Sequence, residues 1–207
     1  MGVARSARSE NRYNAVTGGL RAIAVLSTLM CALVPARGED FAQRFAACLA
    51  CHAEDAQSSP PNVPSLGGQP SYYIAFQLYL FREGQRRNDV MDGVAKGITD
   101  DDLRLFADAV SKLAPPKPAA AATETTRLAR GRTIAAEQHC DGCHQPDFSG
   151  QNQNPRLAGQ REDYLAQSLR DYKSGVRIGY RAAMAEAVHG LGETDFVALA
   201  YFLAHLP

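Results

Sequence analysis

Two short segments of the chain combine cysteine and histidine at a spacing that supports chemistry. Residues 48–52 read CLACH and residues 140–144 read CDGCH, so a histidine follows directly after a pair of cysteines in both. Such a group can bind zinc, cycle between dithiol and disulfide, or attach a haem. An interpretation has to explain both the chemistry of the group and its repetition.

Zinc and redox chemistry fit the two segments less well than haem does. A structural zinc ion takes four protein ligands, and the first segment offers only Cys48, Cys51 and His52 with no other cysteine or histidine near it in the chain. A thioredoxin-like dithiol belongs to a β-α-β unit, which the sequence does not predict. Cys-x-x-Cys-His is the signature of c-type haem attachment, in which the thiols add to the haem vinyl groups and the histidine binds the iron.

Methionine is the candidate for the sixth ligand of each iron. Beyond residue 38 the chain contains only Met91 and Met184, one after each motif at nearly the same distance. A lone methionine usually fills a core, but one at a matched position in each half favours ligation. His189 competes with Met184 but has no equivalent in the first half, and we expect no ligand role for His139 or His205.

The two motifs belong to a longer internal repeat. PSLGGQPSYY, from Pro64, matches PRLAGQREDY, from Pro155. Loops stiffened by these prolines are candidates to offer a backbone carbonyl to the second ring nitrogen of each histidine. The register of the repeat continues through Gln69 and Gln160, Tyr73 and Tyr164, Gly84 and Gly175, and Arg86 and Arg177.

The elements that position these residues are predicted to be helices. Apolar residues recur at helical spacing, glycines follow two of the segments as C-caps, and TDDD and ETD provide N-terminal caps. We expect an all-α protein with domains at residues 39–113 and 127–207, joined by a Pro- and Ala-rich linker at 114–126. Domains this small often need a staple, and the cysteines are the available one.

The N-terminal region reads as a secretory leader. Arginines precede an uncharged run from Ala22 to Val34, and PARG follows it, so residues 1–38 are predicted to be a signal peptide. The run is short for a membrane span, although an uncleaved anchor is the alternative. Because five arginines lie in the leader, the rest of the chain is mildly acidic, which argues against nucleic-acid binding.

From these motifs, the chain resembles the dihaem cytochromes of the cytochrome c4 type, which have two class I cytochrome c domains in tandem. The resemblance covers residues 39–207 and departs from the family at AEDAQSSPPN, where a glycine usually follows the motif. It implies two covalently bound haem c groups. The implied thioether residues are Cys48, Cys51, Cys140 and Cys143, and the implied axial pairs are His52 with Met91 and His144 with Met184.

The resemblance further implies an electron carrier rather than an enzyme. His/Met ligation favours a high reduction potential, which suits a periplasmic carrier between a quinol-oxidising complex or dehydrogenase and a terminal oxidase. Peripheral membrane association is compatible with this role. The alternative function is that of a dihaem subunit of a periplasmic dehydrogenase such as a flavocytochrome c. A dihaem peroxidase would need an open iron position, and two methionine-ligated haems argue against it. The arginines of FREGQRR and KSGVRIGYR are candidates to steer an acidic partner.

Overall fold

The structure is a computed structural model that describes residues 37–55, 57–177 and 182–207. Most of the predicted leader lies outside the described residues. The helices in these ranges are α1 (Arg37–His52), α2 (Ser71–Arg82), α3 (Asp89–Ala95), α4 (Asp100–Ser111), α5 (Thr125–Glu137), α6 (Cys140–His144), α7 (Glu162–Ser174), α8 (Ala182–Val188) and α9 (Glu193–Ala204). The described part of the chain has no β-strand, which confirms the all-α prediction. None of its helices is long and apolar enough to cross a membrane.

The helices repeat the order that the sequence repeat predicts. Each half, the first before the linker and the second after it, has a helix that leads into the motif, a long helix after the proline loop, a short helix with the methionine and a closing helix. Residues 43–207 form one compact unit, so contacts between the two halves are part of the fold.

Helix ends form where the sequence places capping residues. Gly84 follows α2 with φ +66° and Gly175 follows α7 with φ +73°, a left-handed conformation that glycine adopts at little cost. At the start of α4, Thr99 and Asp102 form a capping box. At the start of α9, the Asp195 carboxylate accepts a hydrogen bond from the N–H of Gly192 at 3.0 Å.

The closing helix forms the centre of each core. In the first half, α4 packs against α2, and Phe45 of α1 stacks on Phe106 with ring centroids 6.5 Å apart. In the second half, α9 packs against α5 and α7. The α5–α9 crossing is so close that a Cβ on Gly131 would lie 2.6 Å from the Cβ of Phe202 and would overlap the carbonyl oxygen of Ala198.

The segment predicted as a linker is largely exposed but is attached to the second half. Pro116 is buried, and the N–H of Ala119 donates to the carbonyl of Ala204 at 2.8 Å. The Tyr201 hydroxyl accepts from the backbone N–H groups of Thr123 and Glu124 at 3.0 and 3.1 Å. The last residues of the segment already belong to α5, which begins at Thr125.

Candidate functional site

The first motif lies at the C-terminal end of one continuous helix. The last turns of α1 contain Cys48, Cys51 and His52. The two thiols are therefore separated by about one helical turn. Cys48 is half-buried, and its thiol donates to the Arg44 carbonyl at 3.5 Å. Burial raises the pKa of the Cys48 thiol. Cys51 is exposed.

The second motif forms its own short helix. The preceding helix α5 ends at Glu137, and His139 adopts a left-handed conformation with φ 52° before α6 begins at Cys140. Burial raises the pKa of the half-buried Cys140, as it does for Cys48, and Cys143 is exposed like Cys51. The two cysteine pairs therefore match in spacing and exposure although the helices before them differ, and none of the four forms a disulfide.

The motif histidines are buried and held in the same way in both halves. The Nδ1–H of His52 donates to the carbonyl of Pro64 at 2.7 Å, and that of His144 donates to the carbonyl of Pro155 at 2.9 Å. Since a carbonyl only accepts, Nδ1 carries the proton and Nε2 is the ring nitrogen suited to a metal. Burial lowers the pKa of His52, which favours the neutral imidazole. The predicted proline loops thus supply the carbonyls, through the prolines themselves.

Both methionines lie on the short helices that follow the long ones. Met91 is half-buried on α3, which packs against α2, and Met184 is half-buried on α8, which packs against α7. Of the other histidines, His139 and His189 are exposed, whereas the Nδ1–H of His205 donates to the carbonyl of Tyr201 at 2.7 Å. In the described residues, no group of three or more His, Cys, Asp or Glu side chains is placed to hold a metal ion.

A cluster of polar side chains lies between the two halves, and the haem-attachment motifs did not predict it. Arg86 donates to the Gln77 side chain at 2.6 Å and to the Tyr164 hydroxyl at 3.2 Å, and Arg177 donates to the Tyr73 hydroxyl at 3.2 Å. We call these five residues the arginine–tyrosine cluster. Burial raises the pKa of Tyr73; burial acts in the same direction on Tyr164, but the charges of Arg86 and Arg177 outweigh it and lower the Tyr164 pKa.

The cluster explains why these positions keep the register of the repeat. Tyr73 is equivalent to Tyr164 and Arg86 to Arg177, and each arginine contacts the tyrosine of the other half. Among the described residues neither arginine forms an ion pair with a carboxylate. These two arginines therefore face inward, and the partner-steering hypothesis does not apply to them. Their matched spacing was the sequence signal for the cluster.

The features of the chain fit a haem in each half. Both motif histidines carry a proton on Nδ1 and present Nε2, the paired thiols are one helical turn apart, and two inward-facing arginines lack carboxylate partners in the described part of the chain. A haem would use all three, because it needs an axial nitrogen, two thioether sulfurs and countercharges for its propionates.

Comparison with known proteins identifies similar chains. The cytochrome c family profile matches residues 128–207. The thiosulfate dehydrogenase electron acceptor of Thiomonas intermedia is 37% identical over 167 residues, which cover 76% of this chain and 76% of that protein. Cytochrome c4 of Thiocapsa roseopersicina is 32% identical over 182 residues, which cover 83% of this chain and 92% of that protein. The crystal structure of reduced recombinant cytochrome c4 from Pseudomonas stutzeri superposes with a TM-score of 0.73 at 28% identity, covering 82% of this chain and 98% of that one.

Proposed function

Because the chain belongs to the cytochrome c4 family, we propose that each of its two motifs anchors one of its two covalently bound haem c groups. In the first half Cys48 and Cys51 form the thioethers, and in the second half Cys140 and Cys143 do so. The proposed axial pairs are His52 with Met91 and His144 with Met184.

The observation that carries this assignment is the matched histidine geometry. In both halves the same ring nitrogen donates to the carbonyl of the equivalent proline, at 2.7 and 2.9 Å. In both halves this bond leaves Nε2 as the ring nitrogen that can bind a metal, and a hydrogen bond at the second nitrogen fixes the tautomer and the orientation of a metal-binding imidazole.

The haem, when bound, supplies reversible one-electron chemistry at iron. The chain supplies position and environment. The carbonyls of Pro64 and Pro155 hold a proton on Nδ1 of each imidazole and so fix the orientation of the ring, and the methionine thioethers are soft ligands that favour the reduced state. If a haem is bound in each half, Arg86 and Arg177 of the arginine–tyrosine cluster would be the residues that offer positive charge to the propionates.

The protein is a dihaem cytochrome of electron transfer, a carrier rather than an enzyme. For its partners we propose a periplasmic dehydrogenase or quinol-oxidising complex as donor and a terminal oxidase as acceptor. Similarity to a thiosulfate dehydrogenase electron acceptor supports a donor that oxidises thiosulfate. Reduction of the purified holoprotein by thiosulfate plus its dehydrogenase, and not by thiosulfate alone, is the expected result; failure of reduction would exclude this donor.

Haem stoichiometry tests the attachment sites. The exported protein should carry the mass of two haems and give a pyridine haemochrome with two haems per chain. Replacement of Cys48 and Cys51 by serine should remove one haem, and replacement of Cys140 and Cys143 should remove the other. A chain that keeps both haems after either replacement would contradict the assignment.

The axial methionines are tested by absorption of the ferric protein. Met91→Ala should remove one of two Met-to-iron charge-transfer signals, and Met184→Ala the other. His189→Ala should leave both signals in place, because His189 is exposed and has no equivalent in the first half. An unchanged spectrum in Met184→Ala together with a changed spectrum in His189→Ala would transfer the ligand role to His189.

A second candidate function is a stable subunit of a dehydrogenase complex, which the name of the relative from Thiomonas intermedia also accommodates. Purification of the native protein separates the two. Elution as a free dihaem protein supports the shuttle, whereas stoichiometric elution with a dehydrogenase, for example a flavoprotein, supports the subunit.

For localisation we propose export to the periplasm, with removal of residues 1–38 and peripheral membrane association at most. The leader pattern supports this proposal, because arginines precede the uncharged run from Ala22 to Val34 and the small residues of PARG follow it. N-terminal sequencing of the native holoprotein tests it. A mature chain that begins near Gly38 agrees with the proposal, and one that begins at Met1 contradicts it.

A further inference from the structure

Two glutamines at equivalent positions of the repeat reach into the opposite half. The Gln160 side chain accepts a hydrogen bond from the N–H of Ser65 and donates one to the carbonyl of Ser65, both at 2.8 Å. The Gln69 side chain accepts from the N–H of Arg156 at 3.0 Å and donates to the carbonyl of Arg156 at 2.9 Å. Both glutamines are buried, with 3% and 4% of their surface exposed.

The backbone groups that they contact connect directly to the motif histidines. The N–H of Ser65 and the carbonyl of Pro64 belong to one peptide group, and that carbonyl accepts the His52 Nδ1–H at 2.7 Å. In the same way, one peptide group joins Gln69 to the His144 Nδ1–H through the carbonyl of Pro155. Each histidine is thus one peptide group away from the glutamine of the other half.

A peptide group transmits polarisation because its N–H and carbonyl share one conjugated system. A hydrogen bond at the N–H increases the partial negative charge on the oxygen, and chains of such bonds reinforce one another in a low-dielectric interior. A stronger carbonyl acceptor makes the imidazole a better electron donor to a metal. The same pair of bonds also fixes the loop that sets the orientation of the ring.

We propose that Gln160 is a positioning residue for His52 and that Gln69 is one for His144, so that each half tunes the iron ligand of the other. This inference rests on the proposed function, because it takes both histidines as haem ligands. It assigns a role to the cross-half contacts beyond adhesion. Removal of a glutamine should act mainly on the haem of the opposite half.

The test measures both reduction potentials in holoprotein that carries Gln160→Leu or Gln69→Leu. Loss of the bond at the peptide N–H weakens the proline carbonyl as acceptor, which makes the imidazole a poorer donor and raises the potential. In Gln160→Leu the oxidised-to-reduced ratio of the His52 haem at a fixed potential should fall about threefold, or about 28 mV for a one-electron couple. The His144 haem should change by less. In Gln69→Leu the pattern should be reversed.

The two potentials are assigned to the halves with Met91→Ala and Met184→Ala, which each mark one haem. Each glutamine variant is the matched control of the other, and Gln167→Leu is the control for an exposed glutamine. Equal shifts of both haems, or a shift confined to the half that carries the substitution, would overturn the proposal and leave a purely structural role. If Met91→Ala and Met184→Ala both keep two Met-to-iron charge-transfer signals, the result would instead contradict the proposed function.

A variant that keeps the side-chain length covers the case in which Gln160→Leu does not fold. Gln160→Glu retains the accepting oxygen and makes it a charge-assisted acceptor for the Ser65 N–H. The potential of the His52 haem should then fall, opposite to the leucine variant, and by more than that of the His144 haem. A larger change at the His144 haem would overturn the assignment.

Discussion

Apart from the reciprocal glutamine contacts, the loop after His144 is held by its own half, whereas the loop after His52 receives further hydrogen bonds from the other half. In the second half, the Phe148 carbonyl accepts from the N–H of Leu157 at 2.8 Å, which closes the loop on itself. The Phe148 ring is buried and meets Phe202 edge to face at a centroid distance of 5.9 Å. This loop therefore contributes to the core of the half to which it belongs.

The loop of the first half receives hydrogen bonds from the second. The Arg161 guanidinium donates to the carbonyls of Ser58 and Ser59 at 2.7 and 3.1 Å, and the Asp163 carboxylate accepts from the N–H of Asn62 at 3.0 Å. Arg161 also pairs with Asp163 at 2.7 Å, so both side chains are held in place for these contacts. The segment that departs from the family pattern is thus the one that the second half supports.

These contacts run in one direction. By the register of the repeat, the position of Arg161 corresponds to Pro70, which has no side-chain donor and serves as the N-cap of α2. The first half therefore cannot return the same support to the second. The glutamine contacts are reciprocal and the arginine contacts are not, so the second half supports the first at more points than it is supported.

The closing helices α4 and α9 differ in how completely they are buried. Buried residues of α4 occupy one face, and Leu105 on the opposite face is 53% exposed. On α9 the last seven residues, from Ala198 to Ala204, are all buried, because α5, α7 and the segment before α5 cover the helix. The second half thus has the more complete core, and burial of apolar area is the main source of stability.

The largest expected effect is seen when the halves are separated. Residues 114–207, which keep all of α5 and the segment that covers α9, should fold and carry one haem when exported with the same leader as the whole protein. Residues 39–113 should not give a cooperatively folded, haem-containing product, because they lose Arg161, Asp163 and Gln160. Circular dichroism and haem content measure both outcomes. A first-half fragment as stable as the second-half fragment would contradict the one-way dependence.

A substitution at the closest helix crossing tests the core of the second half. Gly131→Ala places a methyl group against the carbonyl of Ala198 and the Cβ of Phe202, so α5 and α9 must move apart. We expect a loss of about 2–3 kcal/mol in the free energy of unfolding, the usual cost of overpacking. Denaturant unfolding monitored at the second haem measures it.

Gly190→Ala is the control for this substitution, because a Cβ at Gly190 meets no atom within 4 Å. It should change stability by less than about 0.5 kcal/mol. Equal losses in the free energy of unfolding for Gly131→Ala and Gly190→Ala would show that the helix crossing is not tightly packed. This result would contradict the conclusion that the second half has the more complete core.

Removal of a single supporting side chain should give a smaller effect on the first half. Arg161→Ala removes the charged donor of one part-buried and one exposed carbonyl bond and removes the ion pair with Asp163, at a cost of about 2 kcal/mol. Unfolding monitored at the first haem should report this loss, with little change at the second. Arg170→Ala, which removes an exposed pair with Glu193, should cost less than about 1 kcal/mol.

Much of the local structure could be predicted from the sequence, because its causes are local. The capping residues at Thr99 and Gly175, the apolar period of the helices and the spacing of each motif are all set by residues a few positions apart. The proline carbonyls were also within reach, since the repeat places a proline at a matched distance after each histidine. These predictions agree with the structure.

The contacts between the halves could not be predicted in the same way. Gln160 meets Ser65, and Arg161 meets Ser58, through hydrogen bonds between residues that are distant in the chain and carry no shared pattern. The left-handed residue before α6 is His139, where composition gives no signal for a break. Tertiary packing decides these features, and the repeat indicated only which positions were equivalent.

The smallest expected effect depends on pH and concerns the acidic cap of α4 in the first half. Asp102 accepts hydrogen bonds from Arg44 of α1 and from Thr99, and these bonds lower its pKa from 3.8 to about 2. A lowered folded-state pKa adds stability above the unfolded pKa and loses it as the pH falls through the folded pKa. The contribution of the Asp102 carboxylate to the free energy of unfolding should be complete above about pH 5. It should disappear between about pH 4 and pH 2.

Asp102→Asn should therefore lower the free energy of unfolding of the first half by about 1 kcal/mol at pH 7 and by almost nothing at pH 2. Asp101→Asn is the matched control in the same helical turn, because that carboxylate is 85% exposed and its pair with Arg104 is screened by solvent. Unfolding of both variants and of the unsubstituted protein across this pH range measures the difference. If Asp102→Asn lowers the free energy of unfolding by the same amount at pH 7 and at pH 2, the side chain acts through packing. The charge of Asp102 would then not stabilise the contact between α4 and α1.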